Sequence, residues 1–122
     1  MALGSDKVRA SLPEINDAII RLQGAGAAAP TLDEGKGVTI TRAGVGDYTI
    51  TWAENPGRFV TWSWALGATT PADVDDLRLV RGVFNDTANS LQIVLVDNTP
   101  TAHELQTAEF VDITVRFSRT SA

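Results

Sequence analysis

The feature that most restricts the fold is residues 35–52, which read G-K-G-V-T-I-T-R-A-G-V-G-D-Y-T-I-T-W. Val38 and Ile40 alternate with Thr39 and Thr41. After a short connection holding Gly44 and Gly46, Tyr48, Ile50 and Trp52 alternate with Thr49 and Thr51. A period of two sends successive side chains to opposite faces of an extended chain, so the stretch predicts a β-hairpin with one apolar and one threonine face. Glycine supplies the positive φ of a tight reversal, and β-branched threonine suits the half-exposed face of a pleated sheet.

The pattern recurs downstream. After the turn residues E-N-P-G at 54–57, residues 59–66 place Val60, Trp62, Trp64 and Leu66 on one face against Thr61 and Ser63 on the other. Trp62 and Trp64 are a heavy apolar investment on one side of a strand. They read as core or as a seam between subunits, with a sugar-binding aromatic platform as the sharper alternative. Residues 67–76 form a long loop whose acids Asp73, Asp75 and Asp76 lack the spacing of a calcium loop and read as solvated charge. Residues 77–84 predict a strand with Leu77, Leu79 and Val83 on one side and Val80 and Phe84 on the other, and residues 90–96 a compact apolar strand. Residues 101–109 lack alternation. Residues 110–118 alternate strictly, with Val111, Ile113, Val115 and Phe117 against Asp112, Thr114, Arg116 and Ser118, giving one dry and one wet face. Six or more strands without intervening helices predict an all-β fold, an antiparallel β-sandwich of jelly-roll-like topology spanning residues 31–122.

Residues 1–30 have a different character and predict an N-terminal arm. Ser11 as N-cap, Glu14 three residues on and Pro13 in the first turn mark the start of a short α-helix over about 11–23. Val8, Leu12, Ile15, Ile19 and Leu22 recur at spacings of three and four and form one stripe. The stripe fits either a coiled-coil seam with a partner or a helix lying on its own domain, and each residue would contribute on the order of 1.5 kcal/mol if fully covered. Residues 24–30, G-A-G-A-A-A-P, predict an Ala/Gly linker ending at a proline.

Composition narrows the function. The 122-residue chain has no cysteine, which excludes disulfides and thiolate metal sites. Its net charge of −5, without a basic run, argues against phosphate-neutralising nucleic-acid binding. No apolar run approaches the roughly 20 residues that cross a bilayer, and M-A-L-G-S-D-K-V-R lacks a signal-like apolar segment, so a chain made and kept in a cytoplasm is expected. The sequence holds no nucleophile elbow, P-loop, dinucleotide fingerprint or zinc-protease motif, and His103, the single histidine, sits in a polar loop beside Glu104. A non-enzymatic protein without cofactor or metal is expected.

The hairpin of residues 37–52 resembles the R-x-G-x-G-x-Y-T-V-T hairpin of small virion proteins of tailed bacteriophages, notably head decoration (cement) proteins. The similarity continues through A-D-V-D at 72–75 and I-T-V-R-F-S at 113–118, where Ile113 stands in for the family's valine. It covers residues 35–118. The resemblance implies a jelly-roll homotrimer on the outer surface of the virion capsid, bound to the major capsid protein and stabilising the head. Similar hairpins in phage fibre and baseplate modules leave a receptor- or carbohydrate-binding β module as the alternative.

Overall fold

A computed structural model describes residues 15–35 and 37–118. Eight strands lie among them: β1 (Ile15–Gln23), β2 (Thr31–Glu34), β3 (Val38–Gly44), β4 (Asp47–Trp52), β5 (Arg58–Ala68), β6 (Arg78–Arg81), β7 (Ser90–Val96) and β8 (Glu109–Ser118), with one 3-10 turn at Pro71–Val74. They form two four-stranded sheets of order β2-β1-β8-β5 and β3-β4-β7-β6, and every strand pair is antiparallel. The fold is a β-sandwich.

The hairpin forms as expected. Val38 pairs with Trp52 and Ile40 with Ile50, and the register shifts between Arg42 and Gly44 where the chain turns. Tyr48, Ile50 and Trp52 point into the core, and the threonines of β3 stand in solvent. In β8, Val111, Ile113, Val115 and Phe117 are buried on the inner face, as the strict alternation requires. Their counterparts across the sandwich are Leu91, Ile93 and Leu95 of β7.

Residues 15–23 correct the sequence reading: they form a strand, not a helix. Ala18, Ile20 and Leu22 face inward while Ile15, Asp17, Ile19 and Arg21 face outward, a period of two. The spacing of Ile15, Ile19 and Leu22 satisfies helical periodicity, whereas Ala18, Ile20 and Leu22 follow the period of two. A continuous nine-residue register with β8 supplies the backbone partners that a helix would have found locally. The proposed stripe is therefore not one face: Leu22 is 0% exposed in the core, whereas Ile15 is 39% and Ile19 65% exposed on the opposite side. Val8, Leu12 and residues 11–14 lie outside the described residues.

Residues 24–30 are likewise no linker. The Gly24 amide donates to the Glu109 carbonyl and the Gly26 amide to the Leu105 carbonyl. A side chain at Gly24 would collide with the Gln106 carbonyl, so the chain can pass here only as glycine. Gln23 then pairs with Thr31 across a β1–β2 hairpin, and the boundary expected at residue 30 falls inside one sheet.

The winding also differs from a jelly roll. β1–β2, β3–β4 and β6–β7 are hairpins within a single sheet, whereas a jelly roll wraps successive strands alternately between its two sheets. Two local departures follow from backbone irregularities that periodicity cannot register. A bulge between Phe59 and Thr61 turns Phe59 inward and leaves Val60 exposed. β6 ends at Arg81, so Phe84 is buried and Val83 is 88% exposed.

The strand assignment of residues 15–23 predicts opposite outcomes at neighbouring positions. Leu22→Ala should cost about 2–5 kcal/mol in chemical denaturation, the loss typical of a core leucine. Ile19→Ala, on the solvent face, should change stability by less than about 0.5 kcal/mol.

Candidate interaction surface

Two groups of functional-type side chains have defined geometry, and they lie on different parts of the sandwich. The first is the outer face of β1, β8 and β5. Antiparallel register sets Asp17 opposite Arg116, Ile19 opposite Thr114 and Arg21 opposite Asp112. Both charged pairs are bidentate: Arg116 Nε and Nη2 donate to the Asp17 carboxylate at 2.9 and 3.0 Å, and Arg21 Nε and Nη2 to Asp112 at 2.6 and 2.8 Å. The hydrogen bonds from Arg116 hold the Asp17 carboxyl below its ordinary value, and those from Arg21 do the same for Asp112. The Arg21 guanidinium also stands 4.6 Å from the Phe110 ring centroid. Such exposed pairs add little stability, but each ties an arginine of one strand to an aspartate of its neighbour. Ile19 is left projecting between them, with Ile15 one position beyond Asp17 on the same face.

The second group closes one end of the sandwich. Arg42 and Tyr48 are directly opposite on the β3–β4 hairpin, and both reach Glu104 in the loop before β8. Arg42 Nε and Nη2 donate to the two Glu104 oxygens at 2.9 and 2.6 Å, and the Tyr48 hydroxyl donates at 3.1 Å while accepting from the Leu105 amide at 2.9 Å. Gly46, at φ 65°, lets the loop approach so closely that a Cβ would meet the His103 carbonyl at 2.6 Å. Burial pushes the Tyr48 phenol up to about 12, so it stays a neutral donor throughout the physiological range. The Arg42 hydrogen bonds are the main reason the Glu104 carboxyl lies below its ordinary value.

His103 is placed beside this network, with Nε2 3.1 Å from Glu109 Oε1. Glu109, 5% exposed, also accepts from the Gln106 amide at 2.8 Å. These contacts tie the loop to the first residue of β8. Among the described residues, no three His, Asp or Glu side chains are grouped to hold a metal ion. Trp62 and Trp64 lie on the inner side of β5, half-buried and packed against the core. The two depressions of note are shallow. One of about 320 Å³ is lined by residues including Asn16, Trp52 and Pro56, and one of about 210 Å³ by Thr61, Trp62, Ser63, Thr114 and Arg116.

Sequence reasoning missed Glu104 as an anchor. The signal available was indirect: a carboxylate and an apolar leucine adjacent in a loop otherwise free of periodicity, and a tyrosine on the apolar face of the hairpin whose hydroxyl needs a partner. Neither identifies the other from spacing alone. No family model matches the chain, and no curated protein or solved structure matches it either.

The geometry sets a pH dependence. A carboxyl whose folded value lies below its unfolded one contributes stability that is complete above the ordinary carboxylate range and is lost as pH falls through the folded value. Glu104, Asp17 and Asp112 are all lowered, so unfolding free energy should decline below about pH 4. Glu104→Gln should flatten part of that decline in denaturation curves taken from pH 7 to 2. Tyr48→Phe, which strips a buried amide of its acceptor, should cost about 1–3 kcal/mol at neutral pH.

Proposed function

We propose that the protein is a non-enzymatic virion structural protein of the capsid decoration type. In this reading it binds the outer surface of a phage head through the major capsid protein, acts as a homotrimer and stabilises the shell. The observation that carries the reading is how the polar groups are used. Arg42, Tyr48 and Glu104, His103 and Glu109, and both outer-face ion pairs have side-chain partners within the chain and brace the sandwich. What the β1–β8 face offers a partner is large apolar side chains on a rigid sheet, Ile15 and Ile19, between fixed charges. That is the makeup of a contact surface, apolar at its centre and polar at its rim. The hairpin and closing-strand likeness to phage head proteins supplies the identity of the partner.

The fibre or baseplate reading asked Trp62 and Trp64 to serve as an outward aromatic platform. Their inward orientation gives that reading less support than the decoration reading.

Co-sedimentation of the purified chain with tailed-phage heads, set against binding to host cell envelopes, tests the proposal directly. Binding to heads is the expected outcome, and binding to envelopes alone refutes it. Ile15→Asp with Ile19→Asp should lower trimerisation or head binding at least tenfold while the β signal in circular dichroism stays unchanged, because neither side chain enters the core. Normal assembly by the double variant would remove the β1 face from the interface.

A further inference from the structure

Among the described residues the sandwich has four edge strands, and three of them carry features that discourage further pairing. β2 and β6 are four residues long, with Asp33 in one and Arg78 and Arg81 bounding the other. β3 carries Arg42 and the register shift. β5 differs in degree: eleven residues long, it has no charge after Arg58 and no proline, its bulge is confined to the end at Phe59–Thr61, and among the described residues it pairs only with β8. Beyond that bulge, residues 61–68 are a long edge without charge or proline, and such edges are templates for another strand.

The charges around β5 specify which strand. Arg58 opens it, and Arg81 stacks 4.4 Å from the ring centroid of Phe59 beside it, so one end is cationic. The 3-10 turn that follows packs back on β5 and brings exposed Asp73, Asp75 and Asp76 to the other end. Between the ends lie exposed Thr61, Ser63 and Ala65 outward and half-buried Trp62, Trp64 and Leu66 inward. A second copy laid antiparallel on this edge places each cationic end against the partner's anionic end, twice over. Parallel pairing sets like charge against like.

We infer that β5 is a homotypic docking edge, pairing antiparallel with β5 of a second copy about a two-fold axis near Ser63 to give a continuous eight-stranded sheet. The contact uses an edge, not the outer face of β1, and so is independent of the trimeric decoration reading. An isologous pair of this kind closes on itself and builds no open filament.

The test exploits the absence of cysteine from the sequence. Opposed residues in an antiparallel pair have Cα atoms roughly 4.5–5.5 Å apart, inside the range a disulfide spans. Full-length Ser63→Cys should therefore form a disulfide-linked dimer on mild oxidation, whereas Thr61→Cys and Ala65→Cys separately should not. Arg58→Asp should weaken the dimer roughly tenfold at low salt, since the change acts twice, and adding Asp75→Arg should restore it. All five positions are exposed, so folding is not at stake. Sedimentation of the wild-type chain should give a dimer, or a hexamer where the trimer also forms. A monomer, or a trimer without cross-linking, overturns the edge pairing, and the trimer would leave the decoration reading standing. Equal cross-linking at residues 61, 63 and 65 indicates parallel pairing and overturns it too, as does failure of the charge reversal to restore association. Occupation of the edge by residues 1–14 of the same chain would block cross-linking and count as refutation.

Discussion

Strand β8 is hydrogen-bonded along both of its edges, to β1 over nine residues and to β5 over nearly its whole length, and the rest of the structure depends on that double pairing. Its inner side chains Val111, Ile113, Val115 and Phe117 are all 2% exposed or less. The partners are far apart in sequence: Arg116 and Asp17 are 99 residues from one another. One sheet therefore cannot close until the last strand of the sandwich is in place, and its first strand has no complete set of backbone partners before then. Contacts of such separation make folding slow compared with a chain built from local pairs. The other sheet contains the β3–β4 hairpin, whose short connection costs little loop entropy to close.

The two ends of the sandwich are closed by different chemistry. Phe117 anchors one end, with Trp52 at 5.1 Å and Phe84 at 5.3 Å in edge-on geometry, and Phe59 stacks on Phe84 at 6.3 Å. The other end is polar, where Tyr48, Arg42 and Glu104 clamp the loop that leads into β8. Each serves the same strand: the aromatic cluster holds its last residues, and the clamp, with Glu109, fixes its first. The bulge at Val60 belongs to this arrangement, because without it Phe59 would point outward and leave the aromatic cluster. Polar closure carries a risk that apolar closure does not, since loss of any one member strands a buried partner.

The parts of the fold legible in the sequence were those whose pattern is local. Val38 to Trp52 and Val111 to Phe117 announce their faces by strict alternation, and both faces stand as read. Residues 15–23 were not legible, for a physical reason: Ile15, Ile19 and Leu22 satisfy helical spacing while Ala18, Ile20 and Leu22 satisfy extended spacing, and the decision rests with β8, which periodicity does not see. The one local clue was Ile20, buried beside exposed Ile19, which a helical stripe left unexplained. Complementary charges, Asp17 with Arg116 and Arg21 with Asp112, were present in the sequence but become pairs only once the register is known. The same holds for Glu104, whose three partners come from a hairpin more than fifty residues earlier. Gly24 gave a misleading signal, because a glycine required by a close carbonyl looks in sequence like a glycine in a linker.

Register couples the core to the surface of this protein. On β1 the period of two that buries Ile20 and Leu22 also presents Ile15 and Ile19, and a slip of one residue would exchange the two sets. The ion pairs with β8 resist such a slip, since moving Asp17 by one position sets it against Val115 or Phe117 and moving Arg21 sets it against Val111 or Ile113, where no guanidinium or carboxylate waits. Their modest free energy is thus less important than their specificity, a role that exposed pairs can fill even when they add little to stability. It follows that the outer face is a fixed pattern of apolar and charged groups rather than an adaptable one. Changes on that face leave the packing beneath untouched, so the outer residues of β1 can vary while the core that holds β8 is kept.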